Sequence, residues 1–343
     1  MKELLYIFIL LIAFLGAALW MAGFGRLKSG AQVLTVEEPP SAPTPSTQPT
    51  SLKVLSWNMG YGYGEGSAGN GYENKPRAHF EHAIEEIAHT IRESQADIVG
   101  LQEIDFGSDR SGGFDQLEKL KTLLPELPYA TRIQGWDANY VPFPYWPPSL
   151  HFGKVKSGGA ILSRYPLSNP KGILLPKPSS QLWAYNLFYL YRFFHKVTVH
   201  LSKDQTLEVA NLHLEAFDQD NRIKQARALV EEGHLDTVDL LMGDFNTVPE
   251  DAAQKSHFED EPRDTYENDS TLSLIASRLT PASLEGNMFH DRKDDWTFPS
   301  SHPNRRLDYF FYAQEKFKIT HFTVLHHALT SDHLPIRIEF LHR

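Results

Sequence analysis

The sequence predicts a mixed α/β domain that follows a single apolar helix, and three observations lead to this prediction. Seven short segments rich in β-branched and aromatic residues recur along the chain, as expected of strands. Three further segments carry apolar residues at helical spacing. An uncharged apolar run, Leu4 to Gly25, precedes all of them. Because strands and helices are mixed, we expect two sheets or one sheet covered by helices.

The apolar run is long enough to cross a bilayer, and Glu3 and Arg26 flank it. A cleaved signal usually has a shorter apolar stretch, so we expect residues 1–25 to form an uncleaved transmembrane anchor, with a removed signal as the alternative. Lys2 on one side and Arg26 with Lys28 on the other give little charge bias. We expect a membrane-anchored protein whose bulk lies outside the cytoplasm.

Residues 26–51 are predicted to be a linker, because the part from Val36 to Ser51 is rich in Pro, Ser and Thr. Such a segment would be an extended tether that holds a domain away from the membrane. No second linker or repeat follows, so residues 52–343 are predicted to be one domain. Its strand candidates are 52–59, 97–103, 158–165, 207–214, 238–245, 306–313 and 333–340, and its helix candidates are 77–94, 114–124 and 220–232.

Composition narrows the chemistry of this domain. The chain has no cysteine, which excludes disulfides and thiolate metal sites. Residues 1–51 hold three basic and three acidic side chains, so the whole formal net charge of −10 lies in residues 52–343. An acidic domain argues against tight non-specific binding to nucleic acid, although a local basic groove is compatible with it.

Two aromatic segments, residues 140–152 and 182–194, lie outside these candidates. Prolines make regular structure improbable in the first of them. Both segments either pack on the domain or form a rim that contacts substrate or membrane.

Polar side chains stand at the ends of the predicted strands, where a rigid sheet presents a functional site. Each has an ordinary structural explanation on its own; Asp244 and Asn246, for example, could form a turn and cap a helix. Together, carboxylate and amide oxygens with two histidines indicate metal-assisted attack of water on phosphorus. The residues are Asn58, Gln102, Glu103, Asn211, His213, Asp244, Asn246, Asp308, Asp332 and His333.

The order of short motifs resembles that of the endonuclease/exonuclease/phosphatase superfamily, which has the deoxyribonuclease I-like fold. The resemblance runs from about residue 52 to the end and implies a four-layered αββα sandwich, in which helices flank two packed, mostly antiparallel sheets. It also implies a metal-dependent phosphohydrolase with one site at the top of the sheets. The motifs are "SWNM", "GLQE", "GGAILSRYPL", "NLHLE", "GDFN", "RLDYFF" and "SDHLP".

The resemblance implies a metal site that holds Mg²⁺, with Mn²⁺ as the other candidate ion. Glu103 would be the principal ligand, Asn58 would lie beside it, and Asp332 would be near the other face of the metal. Oxygen ligands of this kind suit Mg²⁺.

The resemblance also implies the catalytic roles. His333 would take a proton from the attacking water, and Asp308 would orient the imidazole. Asp244 is the alternative base. Asn246 would hydrogen-bond the scissile phosphate, and His213 would stabilise its charge or protonate the leaving oxygen.

The substrate is expected to be a phosphodiester or phosphomonoester. A phospholipid headgroup and a nucleic acid are equally compatible with the sequence, and a small phosphate ester is a further candidate. His213 argues against abasic-site endonucleases, which typically lack a histidine in that motif. The membrane would be a partner through the apolar helix, and no obligate protein partner is expected. The alternative is a non-catalytic module that binds phosphate ligands, against which the presence of Glu103, Asp244 and His333 argues.

Overall fold

Two seven-stranded sheets lie face to face in the computed structural model, which describes residues 2–39, 49–65, 72–261, 265–283 and 289–342. The strands of the first half are β1 (Gly30–Val33), β2 (Val36–Glu37), β3 (Ser51–Asn58), β4 (Ile98–Asp105), β5 (Tyr129–Val141), β6 (Gly153–Ser163) and β7 (Leu167–Leu174). Those of the second half are β8 (Phe193–His200), β9 (Thr206–His213), β10 (Leu240–Asp244), β11 (Thr280–Pro281), β12 (Asp308–Tyr312), β13 (Phe317–Val324) and β14 (Ile336–His342).

Both sheets are mixed. Sheet A has the order β1-β7-β8-β9-β10-β12-β11, and sheet B has the order β13-β14-β3-β4-β6-β5-β2. Strand β9 is parallel to β10 in sheet A, and β3 is parallel to β4 in sheet B. The remaining neighbours among these strands pair antiparallel. The predicted sandwich of two mostly antiparallel sheets is therefore confirmed.

Helices cover the outer faces of the sheets, and a buried apolar layer separates the sheets. Val54, Val209 and Met242 belong to this inner layer. The helices α2 and α3 pack on sheet B, whereas α5 and α6 pack on sheet A. The helices are α1 (Lys2–Met21), α2 (Arg77–Ser94), α3 (Gln116–Leu123), α4 (Trp183–Phe188), α5 (Gln219–Glu231) and α6 (Thr271–Ala276).

The sequence of strand β3 is almost continuously apolar because the strand is buried on both faces. Val54 points into the layer between the sheets, whereas Leu55 and Trp57 point towards α2. Because both faces of the sheet are covered at this strand, side chains at alternate positions are buried on both faces. The indole of Trp57 also donates a hydrogen bond to the carbonyl of His333 at 2.9 Å, which ties the middle of the sheet to the loop before β14.

Polar residues beneath the site join the two sheets. The Gln102 amide donates to Asn211 Oδ1 at 2.6 Å, and the Asn211 amide donates to the carbonyls of Leu101 and Ala160. A buried amide without partners would cost on the order of 1 to 3 kcal/mol, so these bonds set the relative position of the sheets. Gln102 and Asn211 therefore support the site and do not line it.

The segment predicted to be a linker differs from that prediction. Within residues 26–51, β1 pairs with β7 at one edge of sheet A and β2 pairs with β5 at one edge of sheet B. Residues 40–48 lie outside the described residues. The prediction of a tether is therefore wrong for residues 30–37. Pairing at the sheet edges satisfies the backbone hydrogen bonds of these residues, and the Pro, Ser and Thr residues on which the prediction rested lie mostly after them. Only residues 22–29 separate the apolar helix from the sheets.

The end of the apolar helix α1 contacts strand β5 directly. The Asn139 amide donates to the Trp20 carbonyl at 2.7 Å, and Arg26 binds Asp137 at 2.9 Å. A Cβ atom at Gly23, where φ is +67°, would lie 2.1 Å from the Asp137 carbonyl oxygen. The close approach therefore requires glycine.

The pH dependence of stability is predicted to depend on His195 of β8. Its ring is fully buried between the sheets, 3.3 Å from Thr131 Oγ1, and burial lowers its pKa to about 3. In the unfolded chain the histidine titrates near its ordinary pKa of ~6.5, so below that pH only the unfolded state binds the proton. Stability is then lost as the pH falls from ~6.5 towards 3.

His195→Gln should remove this contribution. Between pH 7.5 and pH 5, the fall in the free energy of unfolding should be smaller than in the wild type by up to about 2 kcal/mol. Urea denaturation of the full-length protein in detergent measures the difference. His89→Gln, at an exposed histidine of α2, is the matched control. An unchanged pH dependence in His195→Gln would contradict the assignment.

Candidate active site

The predicted polar residues meet at one edge of the sandwich, which we call the site edge. Two parallel pairs end there, because Asn58 closes β3 beside β4, and His213 pairs with Asp244 where β9 and β10 end. Strand β12 runs in the opposite direction and begins with Asp308 directly opposite Asp244. Strand register thus brings together side chains from distant segments.

Asp308, His333 and Asp244 form a buried group. Asp308 Oδ2 lies 2.9 Å from His333 Nδ1, and Asp244 Oδ2 lies 3.7 Å from His333 Nε2. The Phe298 ring covers the imidazole with centroids 4.7 Å apart, and Ser331 Oγ accepts a hydrogen bond from the His333 backbone N–H. The imidazole is therefore held between two carboxylates with little freedom to rotate.

The charges of this group perturb one another. Burial alone would lower the pKa of His333, but the carboxylates of Asp308 and Asp244 raise it to about 10. Burial raises the pKa of Asp244 to about 7, and Asp308 adds to this effect, while His333 and the hydrogen bonds from Asn58 and Asn246 oppose it. Perturbed titrations of this kind are typical of functional sites.

Asn58 and Asn246 hold the Asp244 carboxylate from two sides. The Asn58 amide donates to Asp244 Oδ2 at 2.9 Å, and the backbone N–H of Asn246 donates to Oδ1 at 2.9 Å. Asn246 has a φ of +52°, and its side-chain amide donates to the Leu214 carbonyl. The strained turn after β10 therefore fixes the orientation of the carboxylate.

Glu103 reaches the site through a bulge in β4. The register with β6 shifts between Gln102 and Ile104, and Glu103 has a φ of +51°. A bulge of this kind redirects one side chain out of the regular alternation. Glu103 Oε1 lies 3.9 Å from His213 Nε2, and its side chain keeps 30% of its surface accessible to solvent.

The predicted metal ligands Glu103, Asn58 and Asp332 all lie at the site edge. Burial raises the pKa of Glu103, and the nearby charge of Asp332 raises it further. Two carboxylates that repel each other in this way fit a cation between them. Ser331 Oγ donates to the Asn58 carbonyl at 2.7 Å and lies 3.2 Å from Asp332 Oδ1, which connects the two loops.

A second arrangement suited to a metal is present among the described residues. One ligand atom each from Asp244, Asp308 and His333 lies within 4.8 Å of the others. Asp308 Oδ1 is buried and has no hydrogen-bond partner among the described residues. An unsatisfied buried carboxylate oxygen is costly, and a bound cation would satisfy it. The family resemblance implies proton transfer as the role of these three residues, and the structure adds this second way of holding a cation.

His213 contacts a buried arginine, Arg192, that no sequence motif indicates. Burial lowers the pKa of His213 well below its usual value, and Arg192 and His333 lower it further. Arg192 Nη1 donates to His213 Nε2 at 2.6 Å. The guanidinium also lies 4.0 Å from Glu215, which accepts a hydrogen bond from Tyr189 Oη.

Arg192 thus places a permanent positive charge behind His213, where a phosphate would need stabilisation. It precedes β8, whose first residue, Phe193, pairs with His213. This cross-strand pairing is tertiary information, so no local motif marks the arginine.

Comparison of the sequence with models of known protein families agrees with this geometry. The chain matches the model of the Endonuclease/Exonuclease/phosphatase family over residues 55–333. An αββα sandwich with acidic and histidine side chains at one edge defines a class of hydrolases that cleave phosphoester bonds with divalent metals. The chain belongs to the endonuclease/exonuclease/phosphatase family, and the protein is a phosphohydrolase.

Solved structures show the same fold at low sequence identity. An endonuclease/exonuclease/phosphatase from Beutenbergia cavernae is 20% identical with a TM-score of 0.56, over 86% of this chain and 72% of that one. The human Nocturnin catalytic domain with bound sulfate is 17% identical with a TM-score of 0.53, over 86% and 95%. D. rerio TDP2 complexed with single-strand DNA product is 16% identical with a TM-score of 0.52, over 85% and 100%. No curated protein sequence matches the chain.

Proposed function

We propose that the protein hydrolyses a phosphodiester or phosphomonoester with Mg²⁺, or with Mn²⁺ in its place. The buried Asp308, His333 and Asp244 group beside Glu103 is the observation that supports this proposal most strongly. It combines a group that can move a proton with carboxylates able to hold a cation.

Asp308 orients His333 in this proposal. Its hydrogen bond to Nδ1 leaves Nε2 directed towards Asp244. The gap of 3.7 Å between Nε2 and Asp244 Oδ2 is too long for a direct hydrogen bond. The attacking water would lie against these two atoms, and either His333 or Asp244 takes its proton.

Glu103, Asn58 and Asp332 would hold the metal ion. When bound, the ion supplies positive charge that polarises the phosphate and lowers the pKa of water. Asn246 would orient the scissile phosphate, while His213 and Arg192 would stabilise its charge on the opposite side. Glu103 lies on the β4 bulge and Asp332 in the loop before β14, so their separation depends on how that loop packs against β4.

The apolar helix α1 is proposed to be a retained membrane anchor, with the catalytic domain of residues 52–343, together with the strands β1 and β2 that pair with it, outside the cytoplasm. Its length and composition suffice for one crossing, and none of it is buried. The hydrogen bond between Trp20 and Asn139 supports retention, because cleavage would remove one partner. Candidate substrates are phospholipid headgroups, nucleic acids and small phosphate esters.

Hydrolysis of phosphoesters by the full-length protein should require a divalent metal. Sphingomyelin and phosphatidylcholine vesicles, plasmid DNA, RNA and inositol phosphates would be offered with Mg²⁺, Mn²⁺ or EDTA. We expect turnover of at least one class with metal and none in EDTA. Asp308→Asn keeps the shape of the side chain and should reduce turnover in every productive assay. Failure to hydrolyse any of these substrates, despite metal binding, would favour a phosphate-binding module.

A further inference from the structure

Four large side chains, Tyr145, Trp146, Leu182 and Trp183, are strongly exposed and form what we call the aromatic rim. Their exposed fractions are 63%, 80%, 78% and 68%. The segments that carry them, residues 142–150 and 181–191, contain no Asp, Glu, Lys or Arg. Strongly exposed aromatic residues on segments that carry no charged side chain are unusual on a surface that faces only water.

Both segments of the rim leave the sandwich at the site edge. The first connects β5 to β6, and the β6 residue Ser157 pairs with Asp105 just beyond Glu103. The second precedes β8, whose first residue pairs with His213. The rim is therefore on the same side of the molecule as the predicted metal ligands.

The two segments also lie close together. Trp136 of β5 joins them, because its ring packs against Phe152, with centroids 6.3 Å apart, and Phe152 packs against Phe143 of the first segment. The Trp136 indole donates to the Phe188 carbonyl at 2.9 Å, which fixes α4 against β5. Tyr140 Oη lies 2.6 Å from His151 Nδ1 and closes the base of the first loop. Both segments of the rim are thus attached to the same strand, β5, beside the site edge.

The apolar helix reaches the domain at this same edge. It ends beside Asp137 and Asn139, which lie near the end of strand β5, just before the first rim segment. Trp20 and Phe24, at this end of the helix, are 65% and 70% exposed. Tryptophan near the end of a membrane-spanning segment marks the level of the lipid headgroups.

We propose that the aromatic rim rests on the bilayer that α1 crosses, so that the site edge faces the lipid headgroups. The partner is the lipid surface itself, because an uncharged aromatic patch joined to a membrane-spanning helix suits the interfacial layer. The short connection of residues 22–29 leaves no spacer to carry the domain away from the membrane.

The orientation selects a substrate class, and this step rests on the proposed function. A chain of contacts runs from the rim segment to the site. The Tyr185 ring lies 5.4 Å from the Tyr189 ring, and Tyr189 Oη donates to Glu215. Glu215 lies 4.0 Å from Arg192, which contacts His213. A phosphoester that reaches the site across the rim is carried by a lipid. Phospholipid headgroups are therefore the substrates, in preference to nucleic acid.

The absence of cysteine makes a depth measurement straightforward. Single-cysteine variants Trp146→Cys, Trp183→Cys and Asp204→Cys of the full-length protein would each carry a nitroxide label in phosphatidylcholine liposomes. Asp204, in the turn between β8 and β9 at the opposite edge, is the exposed control. We expect labels at 146 and 183 at headgroup depth and the label at 204 in water. Labels at 146 and 183 that are as accessible to water as the one at 204 would overturn the proposal.

A second measurement separates the substrate assignment from the general reaction. Hydrolysis of vesicle phospholipid should fall at least tenfold in Trp146→Ala combined with Trp183→Ala, whereas hydrolysis of a soluble phosphate ester stays unchanged. Leu341→Ala, in β14 at the opposite edge, is the matched apolar control. Turnover of soluble esters alone by the wild type would refute the lipid assignment. If the wild type hydrolysed none of these substrates while the labels still lay at headgroup depth, the proposed function would be refuted and the proposed contact of the rim with the bilayer would remain supported.

Discussion

Replacing His333 with alanine is expected to lower kcat/KM for phosphoester hydrolysis by about 10³ to 10⁴-fold. The imidazole lies 2.9 Å from Asp308 and 3.7 Å from Asp244, so its loss removes a proton-transfer group and leaves two buried carboxylates facing each other. Steady-state kinetics with saturating Mg²⁺ would measure the change. Circular dichroism would establish that the variant is folded.

Two further variants sharpen this test. Asp308→Asn keeps the imidazole but weakens the bond that orients it, so we expect a smaller loss than in His333→Ala. His89→Ala, at an exposed histidine on α2, should retain wild-type turnover. Wild-type activity in a folded His333→Ala protein would exclude the mechanism proposed for this residue.

Replacing Glu103 with glutamine is expected to lower activity by about 10³-fold and to raise the metal concentration needed for half-maximal rate. The substitution keeps the size of the side chain and its position on the β4 bulge but removes the charge that faces Asp332. Titration of activity with Mn²⁺, together with calorimetric binding of Mn²⁺, would measure both effects.

Glu85→Gln, at an exposed position of α2, is the matched control for this substitution. If Glu103→Gln bound Mn²⁺ as tightly as the wild type, Glu103 would not be the principal ligand. The metal would then have to be held by Asp244, Asp308 and His333, the other group whose ligand atoms lie close together.

The short chain between the apolar helix and the domain bears on the proposed membrane attachment. A long tether would let the site sample any orientation relative to the membrane. The hydrogen bonds of Asn139 and Arg26 instead attach the helix end to β5, near the site edge. The orientation of the domain is then set by contacts within one strand.

Several features were determined by the sequence alone. The seven predicted strands and three predicted helices are present in the structure. The strands are predictable because an apolar run that ends in a polar residue is a local signal of a buried strand leading to a functional loop. The motif order was equally informative. It identifies Asp244, Asp308 and His333 as candidate reacting groups, and in the structure one ligand atom from each lies within 4.8 Å of the others.

Other features depended on pairing between distant residues. Arg192 reaches His213 because β8 pairs with β9, and Glu103 reaches the site because β4 bulges against β6. The strands β1 and β2 form within the predicted linker because sheet edges offer them backbone partners. Local patterns record which side chains are buried, whereas the identity of a neighbour across a sheet is decided by register. Composition and motif order therefore determined the family and indicated the candidate reacting groups, while tertiary packing alone decided that a buried arginine contacts His213 and that the apolar helix meets the domain at β5.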